Sequence, residues 1–123
     1  MSGGRFEYNQ YKIRDIADDI EQEIKKNGQP LTKQELKDVF WRDSEWYEKY
    51  PEDKFHYKYS DEIIKEFEKA VYILRLAEIY AQRVDWLLSG DDGDETFIER
   101  LATEKQKLKK EYHDRQADST RAD

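Results

Sequence analysis

The stretch "SDEIIKEFEKAVYILRLAEIYAQRVDWLLSG", Ser60–Gly90, decides the fold. Ile63, Ile64, Phe67, Ala70, Val71, Leu74, Ala77, Ala81, Val84 and Leu88 keep to one side of a helix. The pattern holds for about eight turns. Ser60 stands where an N-cap belongs, and Asp61 and Glu62 put negative charge at the positive end of the dipole. Ser89-Gly90 ends the helix. Tyr72, Ile73, Leu76, Ile79, Tyr80 and Leu87 lie beside or opposite the main stripe. A helix apolar around this much of its circumference is covered on several sides. Neighbouring helices cover part of it. A second copy of the chain, related by two-fold symmetry, is expected to cover the rest.

Upstream, residues 1–8 form a glycine-containing lead-in. From Asn9 the pattern is helical, with Ile13, Ile16, Ala17, Ile20 and Ile24 on one face. "KNGQP" ends this helix, with Asn27-Gly28 supplying a left-handed cap and Pro30 following. In "LTKQELKDVF", Thr32 and Glu35 have capping-box spacing, and Leu31 is placed to staple onto Leu36. The aromatic-rich "WRDSEWYEKYPEDKFHYKYS" reads as a continuation that frays by about Tyr50, then a loop. Alternation at Phe55–Tyr59 allows a short strand, for which the sequence offers no partner. Downstream, a further helix starts near Asp94 and carries Phe97, Ile98, Leu101, Leu108 and Tyr112. The fold class is all-α: a small bundle of about four helices around one long central helix, spanning 1–113 as a single domain. Residues 114–123 carry no apolar side chain except alanine and are expected to form a mobile tail.

The 123 residues fit one domain. Charged residues make up 41% of the chain and mean hydropathy is −1.17, which alone would allow disorder. Three Trp, nine Tyr and five Phe supply enough bulky apolar surface for a core. The net charge is −7, with the signs interleaved. No basic stripe appears, which disfavours duplex nucleic acid. Apolar clusters are interrupted by charge and too short to cross a bilayer. No signal peptide is visible and cysteine is absent, so a cytoplasmic location is expected and thiolate chemistry is excluded.

The acidic joint "SGDDGDETF" fails the calcium-loop test. Counting back from Gly93, loop positions one, three and five hold Leu88, Gly90 and Asp92. It fits punctuation instead, with Gly90 as a C-terminal cap and Asp94 as the next N-cap. His56 and His113 lack a partner at metal-ligand spacing, so no metal site is assigned. No nucleophile–base arrangement or phosphate loop can be placed, so no catalytic residue and no cofactor are assigned. Two places carry binding chemistry. In "SGGRFEY", Gly3, Gly4 and Arg5 could cradle a phosphate, and Phe6 or Tyr8 could stack on a base. The position at a terminus favours the plainer reading, in which the same aromatics dock onto the bundle. In "YAQRVDW", Arg83 and Trp86 could line a groove or form an ordinary interhelix contact.

Met1–Ile24, with "SGG-R-F-x-Y", and Tyr59–Leu101, with "R-V-D-W-L-L-S-G-D-D", resemble a group of small bacteriophage and prophage proteins also found in gut bacterial genomes. Phe40–Tyr59 lies outside the resemblance, which carries no catalytic residues. It implies a non-enzymatic binding protein that antagonises host antiviral defence in the host cytoplasm. Two modes follow: sequestering a nucleotide-derived signal, for which "SGGRFEY" is the feature, or blocking a host protein, for which "FWRDSEWYEKY" is the feature. The alternatives are an assembly module without a small ligand, or a nucleotide-processing enzyme.

Overall fold

The structure, a computed structural model, describes residues 4–121, with side chains described as far as Ala117. It is an all-α bundle. Helix α1 spans Gln10–Lys26, α2 Lys33–Asp38, α3 Ser44–Lys49, α4 Asp61–Leu88 and α5 Asp94–Arg121, with a 3-10 turn at Pro51–Lys54. The long helix α4 packs against both α1 and α5. No helix among the described residues is long and apolar enough to cross a membrane.

The ends of α4 follow from its sequence. The Ser60 hydroxyl accepts from Ile63 N–H. At the other end Gly90 takes φ +83°. Its N–H reaches Leu87 O at 3.2 Å, and Asp91 N–H reaches Trp86 O at 2.8 Å. Those two bonds are the Schellman pattern, which needs a residue with little steric cost in the left-handed region. The joint then enters α5, where Asp94 lies in the first turn rather than at the cap.

The α1–α4 contact centres on Ala17, which has no exposed surface, and Val71 is buried nearby in the core. These are the only buried apolar residues among those described, so ionic and aromatic contacts carry much of the packing. Tyr72 of α4 stacks on Tyr112 of α5 at 4.6 Å. Arg75 of α4 reaches Asp18 of α1 at 2.8 Å.

Arg115 ties three helices. Its guanidinium donates to both Glu21 oxygens of α1, at 2.8 and 2.9 Å, and its Nε lies 3.2 Å from Glu68 of α4. The sequence ends the last helix at His113, yet α5 continues to Arg121. The residue past the expected end docks through charge, which apolar periodicity does not register. Arg115 holds the Glu21 carboxyl below the usual range, while burial pushes Glu68 up. Glu21 therefore stabilises the fold above its unfolded pKa, and that contribution disappears as pH falls through its depressed range. Glu68 works in the opposite sense, because its protonation favours the folded state. Glu21→Gln is expected to cost about 1–2 kcal/mol at pH 7, discounted because part of the Arg115 side chain meets solvent. Thermal melts should show the deficit closing on acidification. A deficit that persists at the lowest pH would remove Glu21 ionisation as its cause.

Residues 28–58 form an excursion between α1 and α4. Its base is a short antiparallel contact: His56 N–H to Gln29 O at 2.8 Å, and Leu31 N–H to Lys54 O at 2.8 Å. Pro30 pairs with Phe55 in an isolated bridge. The expected strand at Phe55–Tyr59 is thus only a bridge, and its partner is the segment read as a turn. The expected single helix to Tyr50 is two. Asp43 caps α3 through Trp46 N–H, and α2 has already ended at Asp38. The capping box of Thr32 and Glu35 forms, and His56 Nε2 meets Glu35 at 3.1 Å.

Candidate functional site

The lead-in folds back onto the C-terminal end of α4. Asp85, on a buried turn of α4, organises it. One carboxylate oxygen accepts from the backbone N–H of Arg5 and, at 3.2 Å, of Phe6. The other accepts from Gln10 Nε2 at 3.1 Å. Gln10 Nε2 also reaches Gln82 Oε1 at 2.8 Å, and Ser89 Oγ accepts from Arg5 N–H at 3.2 Å. A carboxylate only accepts, so Asp85 fixes which end of the Gln10 amide faces it. Gln10 Oε1 is left buried with no partner among the described residues.

The backbone bends sharply to allow this. Gly4 takes φ +62°, and a Cβ there would stand 2.8 Å from both Asp85 oxygens. Glycine is required on both counts. Glu7 at +51° and Tyr8 at +63° are also left-handed. Each such non-glycine residue costs on the order of 1–3 kcal/mol, and strain of this kind gathers at functional sites.

The structure sorts the sequence candidates. Backbone amides of the lead-in do cradle an anion, but the donors are Arg5 and Phe6 and the anion is the chain's own Asp85, against which Gly4 packs closely. This corrects the phosphate-cradle reading of Gly4 and the Arg5 backbone. Gly3 lies outside the described residues. Arg5, Phe6 and Glu7, with Asn9, Gln10, Ile13 and Ala81, line an open groove of about 500 Å³. Tyr8 faces a separate cleft of about 170 Å³ that also holds Gly4, Tyr11, Trp86 and Asp91. Tyr8 stacks on Tyr11 at 5.8 Å. The two places singled out in the sequence are therefore brought together at one end of the bundle.

Arg83 is withdrawn from that end. It is 8% exposed and pairs with Asp92 at 3.2 Å and with Glu104. Its guanidinium carbon sits 4.4 Å from the Trp86 ring centre. Arg100 meets the other Asp92 oxygen at 3.3 Å. Arg83 is an interhelix contact, not a groove residue. Asp92 is more than punctuation, because it neutralises a buried cation. Sequence reasoning missed Asp85, Gln10 and Asp92. One signal was available: Gln82, Asp85 and Ser89 interrupt the apolar helix at spacings of three and four, which places three polar groups on one face.

Comparisons of the chain with protein-family models, with curated proteins and with solved structures return no match.

Proposed function

We propose that this is a non-enzymatic binding protein whose groove at the start of α1 holds a small anionic ligand bearing a flat base. The observation that carries the reading is that Arg5 and Phe6 line one groove, with Glu7 as its one acid. Its volume falls within the roughly 300–1,000 Å³ usual for ligand pockets. The Arg5 guanidinium has no ion-pair partner among the described residues, in a chain of net charge −7. A free, planar cation suits phosphate oxygens. Phe6 offers a face for the base, and Ile13 and Ala81 give an apolar floor. Together with the phage-protein resemblance, this favours sequestration of a nucleotide-derived defence signal over its turnover.

The test is to incubate the protein with cyclic and ADP-ribose-derived nucleotides and recover what is retained after heat denaturation. Intact recovery supports sequestration, and altered nucleotide points to an enzyme. Base–aromatic stacking is worth about 1–3 kcal/mol, so Arg5→Ala with Phe6→Ala is expected to weaken retention roughly 100-fold or more. Helical content should be unchanged. Full retention by the folded double variant would move the site elsewhere.

A second reading has its own observation. Phe40 is 88% and Tyr57 75% exposed, and Trp41 and Phe55 are also exposed. Arg42 stacks on Trp41 and Trp46 beneath them. Exposed aromatics backed by arginine are typical binding anchors, which supports a protein partner if no nucleotide is retained.

A further inference from the structure

We propose that the outward face of α4 is the interface of a two-fold dimer in which the α4 helices of two copies pack antiparallel, centred level with Arg75. The partners of α4 occupy two adjacent sectors of its surface. Arg75, Gln82 and Asp85 meet α1, while Glu68, Tyr72 and Arg83 meet α5. At 100° per residue, the sector opposite both holds a seven-residue repeat. One position of the repeat is Ile63, Ala70, Ala77 and Val84, and the other begins Glu66, Ile73 and Tyr80. Leu88 follows at the end. Ile73 is 51% and Leu88 54% exposed, with Ile63, Ala77 and Tyr80 also exposed. The outward faces of the flanking helices are mostly polar: Lys12, Asp15 and Asp19 around a lone exposed Ile16 on α1, and Glu99, Thr103 and Gln106 on α5. Ile98 of α5 is a single large exposed apolar side chain, whereas α4 presents a row of them.

The sequence of sizes and charges selects a second copy. In antiparallel register about Arg75, Ile73 lies over Ala77 and Tyr80 over Ala70, so each large side chain meets a small one. Glu66 falls near Val84 rather than near its own copy. Lys105 of α5 sits 5.0 Å from the Tyr80 ring centre. In this register it stands about one turn from Glu66 of the second copy, giving one opposite-charge pair at each end of the interface. A parallel pairing would set Tyr80 on Tyr80 and Glu66 against Glu66. The period of seven fits knobs-into-holes packing at a shallow crossing angle.

The dimer does not depend on the proposed ligand, although Ala81, which lines the groove, lies one turn from Ala77 on α4. Sedimentation should show a dimer at micromolar concentration, and Ile73→Glu should give a monomer with unchanged helical content. The chain has no cysteine, so engineered thiols report without background. Ile73→Cys and Ala77→Cys proteins, mixed and oxidised, should form disulfide-linked dimers, while each alone should form few. Cross-linking of Ile73→Cys alone would mean a parallel pair and overturn the proposed register. A wild-type monomer at high micromolar concentration, or a dimer that survives Ile73→Glu, would overturn the interface itself.

Discussion

Asp92→Ala is expected to lower stability by about 3 kcal/mol, near the lower end of the cost of breaking a buried ion pair. The Asp92 side chain is 2% exposed and lies between Arg83 and Arg100. Arg100 is largely solvated and can return to water. Arg83 cannot, because it is held between α4 and α5 with its ring contact to Trp86. Removing Asp92 therefore leaves a buried cation with Glu104 as its remaining carboxylate. That residual partner is why the expected cost stays at the lower end. For a chain of this length the loss corresponds to a fall in Tm of roughly 10 °C. Two controls isolate the cause. Asp91→Ala removes an exposed neighbour and should change stability by less than about 0.5 kcal/mol. Arg83→Met combined with Asp92→Leu removes both charges and should recover most of the deficit, since well-packed apolar pairs often replace buried ion pairs without loss. Urea melts of the set would show the additive alternative directly. If the double variant is as unstable as the two single variants summed, the ion pair is not what the site depends on.

The same joint shows what the sequence could and could not carry. Local signals were legible. The periodicity of α4, its Ser60 cap, the Thr32–Glu35 box and Gly90 all depend on residues within a few positions of one another. The break between α2 and α3 was written locally too, in Asp43 and its bond to Trp46, but a run of aromatics without aliphatic periodicity hid it. Pairings over long separations were not legible. Arg83 finds Asp92 and Glu104 through the turn into α5, and Arg115 finds Glu21 across the bundle. Apolar periodicity gives no weight to either. The residue types of the candidate site were readable, but the same glycine, arginine and aromatics also suit a docked terminus, and Gly4 serves that use against Asp85. The identity of the bound anion was not, since Asp85 lies on a different element and looks in sequence like one more helix acid.

Asp85→Ala is expected to dismantle the groove and weaken nucleotide retention at least as much as losing Arg5 and Phe6 together. Asp85 is the common acceptor for Arg5 N–H, Phe6 N–H and Gln10 Nε2. Hydrogen bonds to a charged group contribute about 1.5–3 kcal/mol each. Their loss is partly offset, because a released lead-in regains water and relaxes the left-handed Glu7 and Tyr8. Global stability should therefore fall by only about 1–2 kcal/mol while the segment itself detaches. Hydrogen exchange separates the two effects, with protection lost at Arg5, Phe6 and Asn9 and kept through α4. Asp85→Asn supplies the internal check. Its oxygen can still accept from the two backbone amides, and its NH2 turns toward Gln10. Gln10 and Gln82 can answer by rotating both amides, which brings the otherwise unpartnered Gln10 Oε1 onto that NH2 and keeps Gln82 as its partner, now as donor. Shape and pairing survive without the charge, so Asp85→Asn should retain most of the protection and a measurable share of the binding. Equal loss in both variants would mean that the carboxylate charge, not the closed lead-in, sustains the site. Unchanged exchange at Arg5 and Phe6 in Asp85→Ala would show that the lead-in is held by its own aromatic packing, and that Asp85 is not its anchor.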